Sequence, residues 1–482
     1  MNEFLYQFYR IFEIFIAVYY GTYIVFYFIL AILSVYAIKK FIDNVNFLPE
    51  KVLTNTKYTV GVSVIAPAFN EETTIIDNVN SLLSLNYPNF EVIIINDGST
   101  DGTLEALIKE FNLEKIDFFY QEKIITQRIR AHYKSKDSVY TKLLVVDKVN
   151  GKSKADASNA GINSSKFPYF ICTDVDCILR KDTITQLIKP FIEETDKRTI
   201  ATGGTLRMSN SSEVKRGYLI KMHFPENWYP RFQELEYTRS FLFGRMAWSQ
   251  LNSLLLVSGG LGMFDKEIAV KAGGYWHKSM GEDMELVTRM RKVMHQRKEK
   301  FQIKYIPETL CWTEGPSNRR TFVKQRTRWG RGLIQTLFTH KNIFFNPKYG
   351  KTGFLIFPYY FLYEFLTPII ELMGVIVFFF VIPFLDIGVD YSFLLWISIA
   401  CYLFYISITM LSIVIDEILY RTYDDTKEIL TLMMIAIVEP FFYHPVNVYS
   451  YLKGYFLFLK GGEHKWGNME RQGFNNKETK NN

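Results

Sequence analysis

Four short acidic turns and one basic, aromatic heptapeptide carry the chemistry available to this sequence. Asp174-Val175-Asp176 places two carboxylates one residue apart after the apolar run Tyr169–Thr173. On a regular pleat they would point to opposite faces, whereas a turn brings both to one hard cation. Mg2+ or Mn2+ bridging a diphosphate needs few protein ligands, the rest coming from phosphate and water. Asp97 opens Asp97-Gly98-Ser99-Thr100-Asp101 after a second apolar run, and Ala68-Phe69-Asn70-Glu71 follows a third. Each pattern alone is also ordinary turn chemistry. Gly281-Glu282-Asp283 precedes Met284, Val287, Met290 and Val293-Met294, whose spacing predicts a helix with Asp283 at its N-terminus. There the helix dipole favours the ionised carboxylate, which either caps the helix or serves as a general base toward an acceptor hydroxyl. Gln325-Arg326-Thr327-Arg328-Trp329-Gly330-Arg331 combines an aromatic face suited to a sugar ring with guanidinium donors suited to a leaving diphosphate. The same cluster also suits anionic lipid headgroups.

The elements that must position these residues alternate. Residues 62–67, 90–95, 143–146 and 169–173 read as short buried strands. Residues 72–86, 104–111, 154–162 and 183–192 read as helices. Alternation of this kind predicts an α/β domain with a mostly parallel sheet. Ligands of such sheets bind beyond the carboxyl ends of the strands, which is where the acidic turns fall.

The chain has 482 residues, 48% hydrophobic and 22% charged, with a formal net charge of +7. Disorder is excluded by the apolar content, and four cysteines do not make a disulfide scaffold. Cys172, Cys177, Cys311 and Cys401 lack the paired spacing of zinc or redox motifs and read as buried thiols. A mean hydropathy of +0.01 averages two unlike parts, because the apolar residues concentrate at the two ends. Ile14–Ile38 carries no charge and exceeds the roughly 20 residues that cross a bilayer, so it reads as a retained anchor. Lys39, Lys40, Lys51 and Lys57 then place the following residues in the cytoplasm. Phe354–Leu385 contains Glu364 and Glu371, and Tyr391–Ile415 is uncharged. Ile429–Leu459 is broken at Glu439-Pro440, His444-Pro445 and Lys453. Phe354–Phe365, with Tyr359, Tyr360 and Tyr363, also suits the headgroup level. The acidic loop Asp386–Asp390 is expected outside, and the tail cations Lys465, Arg471, Lys477 and Lys480 favour a cytoplasmic C-terminus. The expected organisation is an anchor (1–40), a cytoplasmic catalytic domain with interfacial helices near its end (41–345), membrane helices (346–460) and a tail (461–482).

In this order, NDGSTDGT around Asp97, SKADASNAG around Lys154-Ala155-Asp156, Asp174-Val175-Asp176, Gly281-Glu282-Asp283 and Gln325–Trp329 resemble the membrane-embedded family 2 glycosyltransferases. These are the cellulose, chitin, hyaluronan and poly-N-acetylglucosamine synthases. The resemblance spans Val62 to about Arg331 and the flanking apolar segments. It implies a GT-A-type, Rossmann-like α/β domain inserted between N- and C-terminal transmembrane helices. Asp97 and Asp156, with Lys154 beside them, would hold the uridine and ribose of a UDP-sugar, UDP-N-acetylglucosamine or UDP-glucose. Asp174 and Asp176 would bind the diphosphate and a Mg2+ or Mn2+ ion. Asp283 would be the base of an inverting displacement that gives a β-linkage. Gln325, Arg328 and Trp329, with Glu282 and Gly260 of the loop Ser258–Phe264, would bind the diphosphate and the acceptor end of the glycan. Trp466–Arg471 is loosely similar to a C-terminal gate element of hyaluronan synthases. Two departures stand out: Gly281 replaces a threonine, and Ser153 interrupts the usual Gly-Gly-Lys.

The partners so implied are a UDP-sugar, a growing glycan or lipid acceptor, membrane lipids and accessory export subunits, with no nucleic acid. The expected location is a multi-pass position in the cell (inner or plasma) membrane. A processive, exporting synthase and a transferase that adds one sugar to a lipid carrier or glycolipid both fit. A non-catalytic membrane relative is disfavoured by the retained acidic residues. Glu364, Glu371 and Glu439 either line a polar glycan channel, since a carboxylate facing lipid is costly, or Glu364 and Glu371 flank an interfacial helix and Glu439 pairs locally beside Pro440.

Overall fold

The computed structural model describes residues 2–44, 59–193, 196–215, 217–384, 392–423 and 425–461. Lys51, Lys57, the acidic loop Asp386–Asp390 and the tail with its Trp466–Arg471 element lie outside the described residues.

The strands are β1 (Val62–Ala68), β2 (Phe90–Asn96), β3 (Leu113–Ile116), β4 (Ile129–Ser135), β5 (Leu143–Lys148), β6 (Tyr169–Cys172), β7 (Ile178–Leu179), β8 (Arg198–Met208), β9 (Glu213–Lys215), β10 (Tyr218–Lys221), β11 (Gly262–Asp265) and β12 (Phe301–Thr313). Ten of them form one sheet in the order β3-β4-β5-β2-β1-β6-β11-β8-β12-β7, while β9 and β10 pair separately. Within it, β5, β2, β1 and β6 run parallel, Val64 lying opposite both Val92 and Ile171. These strands are covered on both faces, which is why they read as continuous apolar runs; every residue of β2 and β5 is buried. The expectation of a mostly parallel sheet needs one correction. β11 runs antiparallel between β6 and β8, and β4 and β7 are antiparallel as well, so the sheet is mixed.

Helix α1 (Asn2–Asn44) contains the expected anchor Ile14–Ile38 and runs well beyond it at both ends, whereas α2 (Ile75–Leu83), α3 (Thr103–Glu110), α4 (Lys154–Ser164) and α5 (Thr183–Ile192) fall where the apolar spacing puts them, within a turn. After these come α6 (Trp228–Arg239), α7 (Glu282–Arg297), α8 (Arg319–Thr339), α9 (Ser392–Tyr420), α10 (Thr426–Phe442) and α11 (His444–Leu459). Among the described residues, three helices are long and apolar enough to cross a membrane: Tyr6–Asp43, Thr352–Phe380 and Ser392–Tyr420. Helices α10 and α11 pass the same test as one span bent by 47°. Phe354–Phe365, which also suits the interface, is part of the Thr352–Phe380 helix and is largely π-helical. Phe378, Phe379 and Phe380 are each more than 60% exposed, the dress of a helix that faces lipid.

Buried ion pairs tie these helices to the sheet domain. Arg207 of β8 bonds Glu234 of α6 at 2.7 Å and also pairs with Asp416 of α9. Arg239 of α6 bonds both oxygens of Glu439 in α10, at 3.1 and 3.3 Å. Glu439 therefore does not pair locally beside Pro440; its partner is 200 residues away. Glu371 faces His444 at 2.9 Å, across two membrane segments. The buried Arg207 and Arg239 pairs are strongly destabilising to break singly, so they fix how the domain sits on its helices.

Candidate active site

The loops after β1, β2, β5 and β6 emerge at one edge of the sheet because these strands are parallel. Two of the loops are laced together. Asn70 accepts from the Thr100 backbone N–H at 2.8 Å, and Ser99 accepts from that of Asn70 at 3.0 Å. Ser99, Thr100 and Asp101 thus do turn work, while Asp97 goes elsewhere. Its Oδ1 accepts from Lys148 Nζ at 2.5 Å and from the Gly151 N–H at 3.0 Å. The Lys148 ammonium also reaches Asp156 Oδ2, at 2.6 Å. Asp156 sits in the first turn of α4, whose N-cap is Ser153, with Ser153 Oγ accepting from the Asp156 N–H. The serine that interrupts the glycine-lysine motif therefore caps the helix that carries Lys154 and Asp156. Burial raises the pKa of Asp97, opposed by Lys148 and the Gly151 N–H. Lys148 was not singled out from the sequence. The one available signal is a lysine ending an otherwise buried strand.

Beyond β6 the chain does turn: the Cys177 N–H donates to the Asp174 carbonyl at 3.0 Å. Donor atoms of Asp174, Asp176 and Cys177 all lie within 4.8 Å of one another. The two carboxylates suit Mg2+ or Mn2+, whereas a buried thiol is too soft a ligand for either and packs as a neutral group. Lys154 pairs with Asp174 Oδ1 at 2.5 Å and donates to the Gly259 carbonyl at 2.9 Å. Burial would lower the pKa of Lys154, but Asp174, with Asp283 and Glu282, raises it, so the ammonium is held charged beside the acidic pair.

Asp283 occupies the first turn of α7, as its spacing predicts. Its carboxylate lies against Gly259, where a Cβ would stand 2.8 Å from Oδ1. A Cβ on Gly260 would meet Cys177 Sγ at 3.4 Å and Asp174 Oδ2 at 3.9 Å. The glycine pair thus lets backbone pass between the base candidate and the acidic pair. The expectation that the helix dipole holds Asp283 ionised is outweighed. Burial first and Glu282 second push its pKa up to about 7, opposed by Lys154 and Arg328. Such a carboxyl is poised to exchange a proton near neutral pH.

Gln325, Arg328 and Trp329 share helix α8, which crosses the N-terminus of α7 where Gly332 meets Gly281. A Cβ on Gly281 would lie 3.1 Å from Gly332 Cα, which gives a physical reason for glycine where the related motif has threonine. Arg328 approaches Glu282 at 3.8 Å. The buried Oε1 of Gln325 has no hydrogen-bond partner among the described residues. Arg326, quoted in the motif but given no role from it, stacks its guanidinium 4.0 Å from the Trp329 ring centroid. It also bonds both oxygens of Glu236, at 2.7 and 2.8 Å, and Tyr443 Oη at 2.8 Å.

Two family descriptions match the chain: glycosyl transferase family 2 over residues 63–250, and glycosyl transferase family group 2 over residues 190–419. Between them they span the strand-end acids, Asp283 and the Gln325–Trp329 helix. The chain belongs to glycosyltransferase family 2. Its sheet domain is of the GT-A type, with apolar helices on either side in sequence. This family 2 glycosyltransferase is 28% identical over 278 residues to the poly-beta-1,6-N-acetyl-D-glucosamine synthase of Staphylococcus epidermidis, covering 58% of this chain and 55% of that protein. It is 29% identical over 295 residues to the synthase of the same name from Staphylococcus aureus strain COL, covering 60% and 58%. The match thus spans little more than half the length of these curated relatives. Among solved structures, the mannosyltransferase PcManGT from Pyrobaculum calidifontis in complex with GDP-Man and Mn2+ aligns with 90% of this chain and 100% of its own, with 14% identity and a TM-score of 0.47.

Proposed function

We propose that this family 2 glycosyltransferase uses a UDP-sugar, UDP-N-acetylglucosamine in the first instance, to elongate a β-linked polysaccharide at the membrane. The observation that carries the reading is the convergence of Asp283, Lys154 and Asp174 around the Gly259-Gly260 backbone. The donor sugar and acceptor are named from the synthases to which the chain is similar.

In this reading Asp97 and Asp156 accept hydrogen bonds from the uracil and ribose of the donor. Lys154 moves its charge from Asp174 to the diphosphate when the donor binds. Asp174 and Asp176 would hold a divalent cation, which when bound would supply charge stabilisation to the departing diphosphate. Arg328 adds a guanidinium to the same developing charge. Asp283 takes the proton of the attacking hydroxyl as its oxygen bonds to the anomeric carbon and the carbon–phosphate-oxygen bond breaks. The proton ends on Asp283, the electron pair on UDP, and the configuration inverts. Trp329, backed by Arg326, presents the ring on which the acceptor sugar stacks. Lys39 and Lys40 after the first span support a cytoplasmic catalytic domain in a multi-pass protein of the plasma membrane. The partly exposed Glu371–His444 pair between two membrane segments supports a polar path for the extruded glycan.

The test uses the purified chain in lipid with Mg2+ or Mn2+, offered each common UDP-sugar. UDP release and the length of labelled product are followed. A high-molecular-weight ladder from UDP-N-acetylglucosamine is expected. A single sugar added to a lipid acceptor would overturn the polymer reading, and a ladder from another donor alone would overturn the choice of sugar.

A further inference from the structure

Lys148 ends β5 with its side chain fully buried. The ammonium donates hydrogen bonds to Asp97 Oδ1 at 2.5 Å and the Val149 carbonyl at 2.7 Å, and it forms an ion pair with Asp156 Oδ2 at 2.6 Å. With its side chain 0% exposed, the ammonium is closed off from a ligand. The two carboxylates are 6% and 7% exposed. Each keeps spare acceptor capacity: Asp97 Oδ2 takes part in none of these bonds, and Asp156 Oδ1 takes only the Gln127 N–H at 3.1 Å. Such a lysine cannot bind substrate itself. It acts on the groups that do.

We propose that Lys148 is the positioning residue of the nucleoside pocket, an internal counter-ion that holds Asp97 and Asp156 in one orientation with their remaining acceptor sites open to a uracil ring and a ribose. The inference rests on the donor-site reading given above. Two buried carboxylates close enough to share one ammonium would share a proton in its absence, because like charges in a dry site do not both ionise. A protonated carboxyl offers an O–H where the uracil imide and the ribose hydroxyls need an acceptor. The other charged groups on the surrounding elements do not replace the lysine. Asp147 of β5 is held by Arg130 at 2.5 Å and Asn96 at 2.8 Å. Glu71, after β1, accepts from Thr74. Lys154 pairs with Asp174 and turns to the diphosphate in the donor-site reading, and Arg128 and Lys152 are exposed.

The experiment is calorimetric titration of UDP, with Mg2+, into the full chain in lipid nanodiscs between pH 6 and 9. Wild type, K148M and K148R are compared, with melting curves as a check on folding. K148M is expected to bind UDP about tenfold or more weakly at pH 6.5 and to recover as pH rises, its midpoint displaced upward by roughly 1–3 units. K148R, which keeps the charge, should restore the wild-type profile. In turnover, K148M should raise KM for the donor with little change in kcat. A K148M profile that tracks wild type, or one weakened by the same factor at every pH, would overturn the proposal. If K148M does not fold, the neutral K148Q carries the same pH test. Wild type that fails to bind UDP at any pH would sink the donor-site reading itself, a result distinct from any behaviour of the lysine variants.

Discussion

The carboxylate of Asp283 rests on the backbone of Gly259, with no room between them for a methyl group. The loop Ser258–Phe264, through Gly259, and the first turn of α7 are thus in register to within an atom. Substituting G259A should displace Asp283 by an ångström or so. A misplacement of that size costs roughly 10²-fold in rate, so kcat should fall by about that factor while UDP binding holds. Parallel transfer assays and UDP titrations on G259A check this, and an unchanged kcat would contradict the assigned contact.

A base whose pKa is pushed up to about 7 must lose its proton before it can accept one. Transfer should therefore rise with pH through about 7 and level off above it, and D283N should abolish transfer while leaving UDP binding largely intact. Stability should run the other way. Because the folded pKa lies above the unfolded one, the fold binds the extra proton between about pH 4 and 7, and the stability this contributes is lost as pH rises through that window. D283N should flatten that slope, as read from melting temperature against pH.

Arg326 is 1% exposed and neutralised by Glu236, with Tyr443 as a further partner. R326Q leaves Glu236 without its cation and should destabilise the protein by about 3–5 kcal/mol. R326M combined with E236Q removes both charges and should be milder. Chemical denaturation of the single and double variants measures the difference, and equal losses would argue against a coupled pair.

The Asp174–Asp176 pair should make the reaction depend on a divalent cation. EDTA is expected to stop UDP release, and added Mg2+ or Mn2+ to restore it. D176N should weaken Mn2+ binding, followed by electron paramagnetic resonance, more than it weakens UDP binding measured without metal. Full turnover in excess chelator would remove the metal from the proposed mechanism.

What the sequence determined by itself was local. Parallel strands covered on both faces must be continuously apolar, so β1, β2, β5 and β6 stand out in one dimension, and the residues that follow each of them declare the site edge. Asp283 at a helix start and the apolar segments that cross the membrane are equally local patterns, set by side-chain spacing and length. Whatever depends on a partner far along the chain was invisible there. Lys148 becomes a counter-ion only because β5 lies beside β2, which brings it to an aspartate 51 residues away. Glu439 meets Arg239 only when α10 docks on α6. Strand β11 adds antiparallel between β6 and β8 in a register no periodicity announces. The proton affinity of Asp283 was likewise decided mainly by tertiary structure: burial, its largest cause, and the charges of Lys154 and Arg328 come from other elements, and only the neighbouring Glu282 is local.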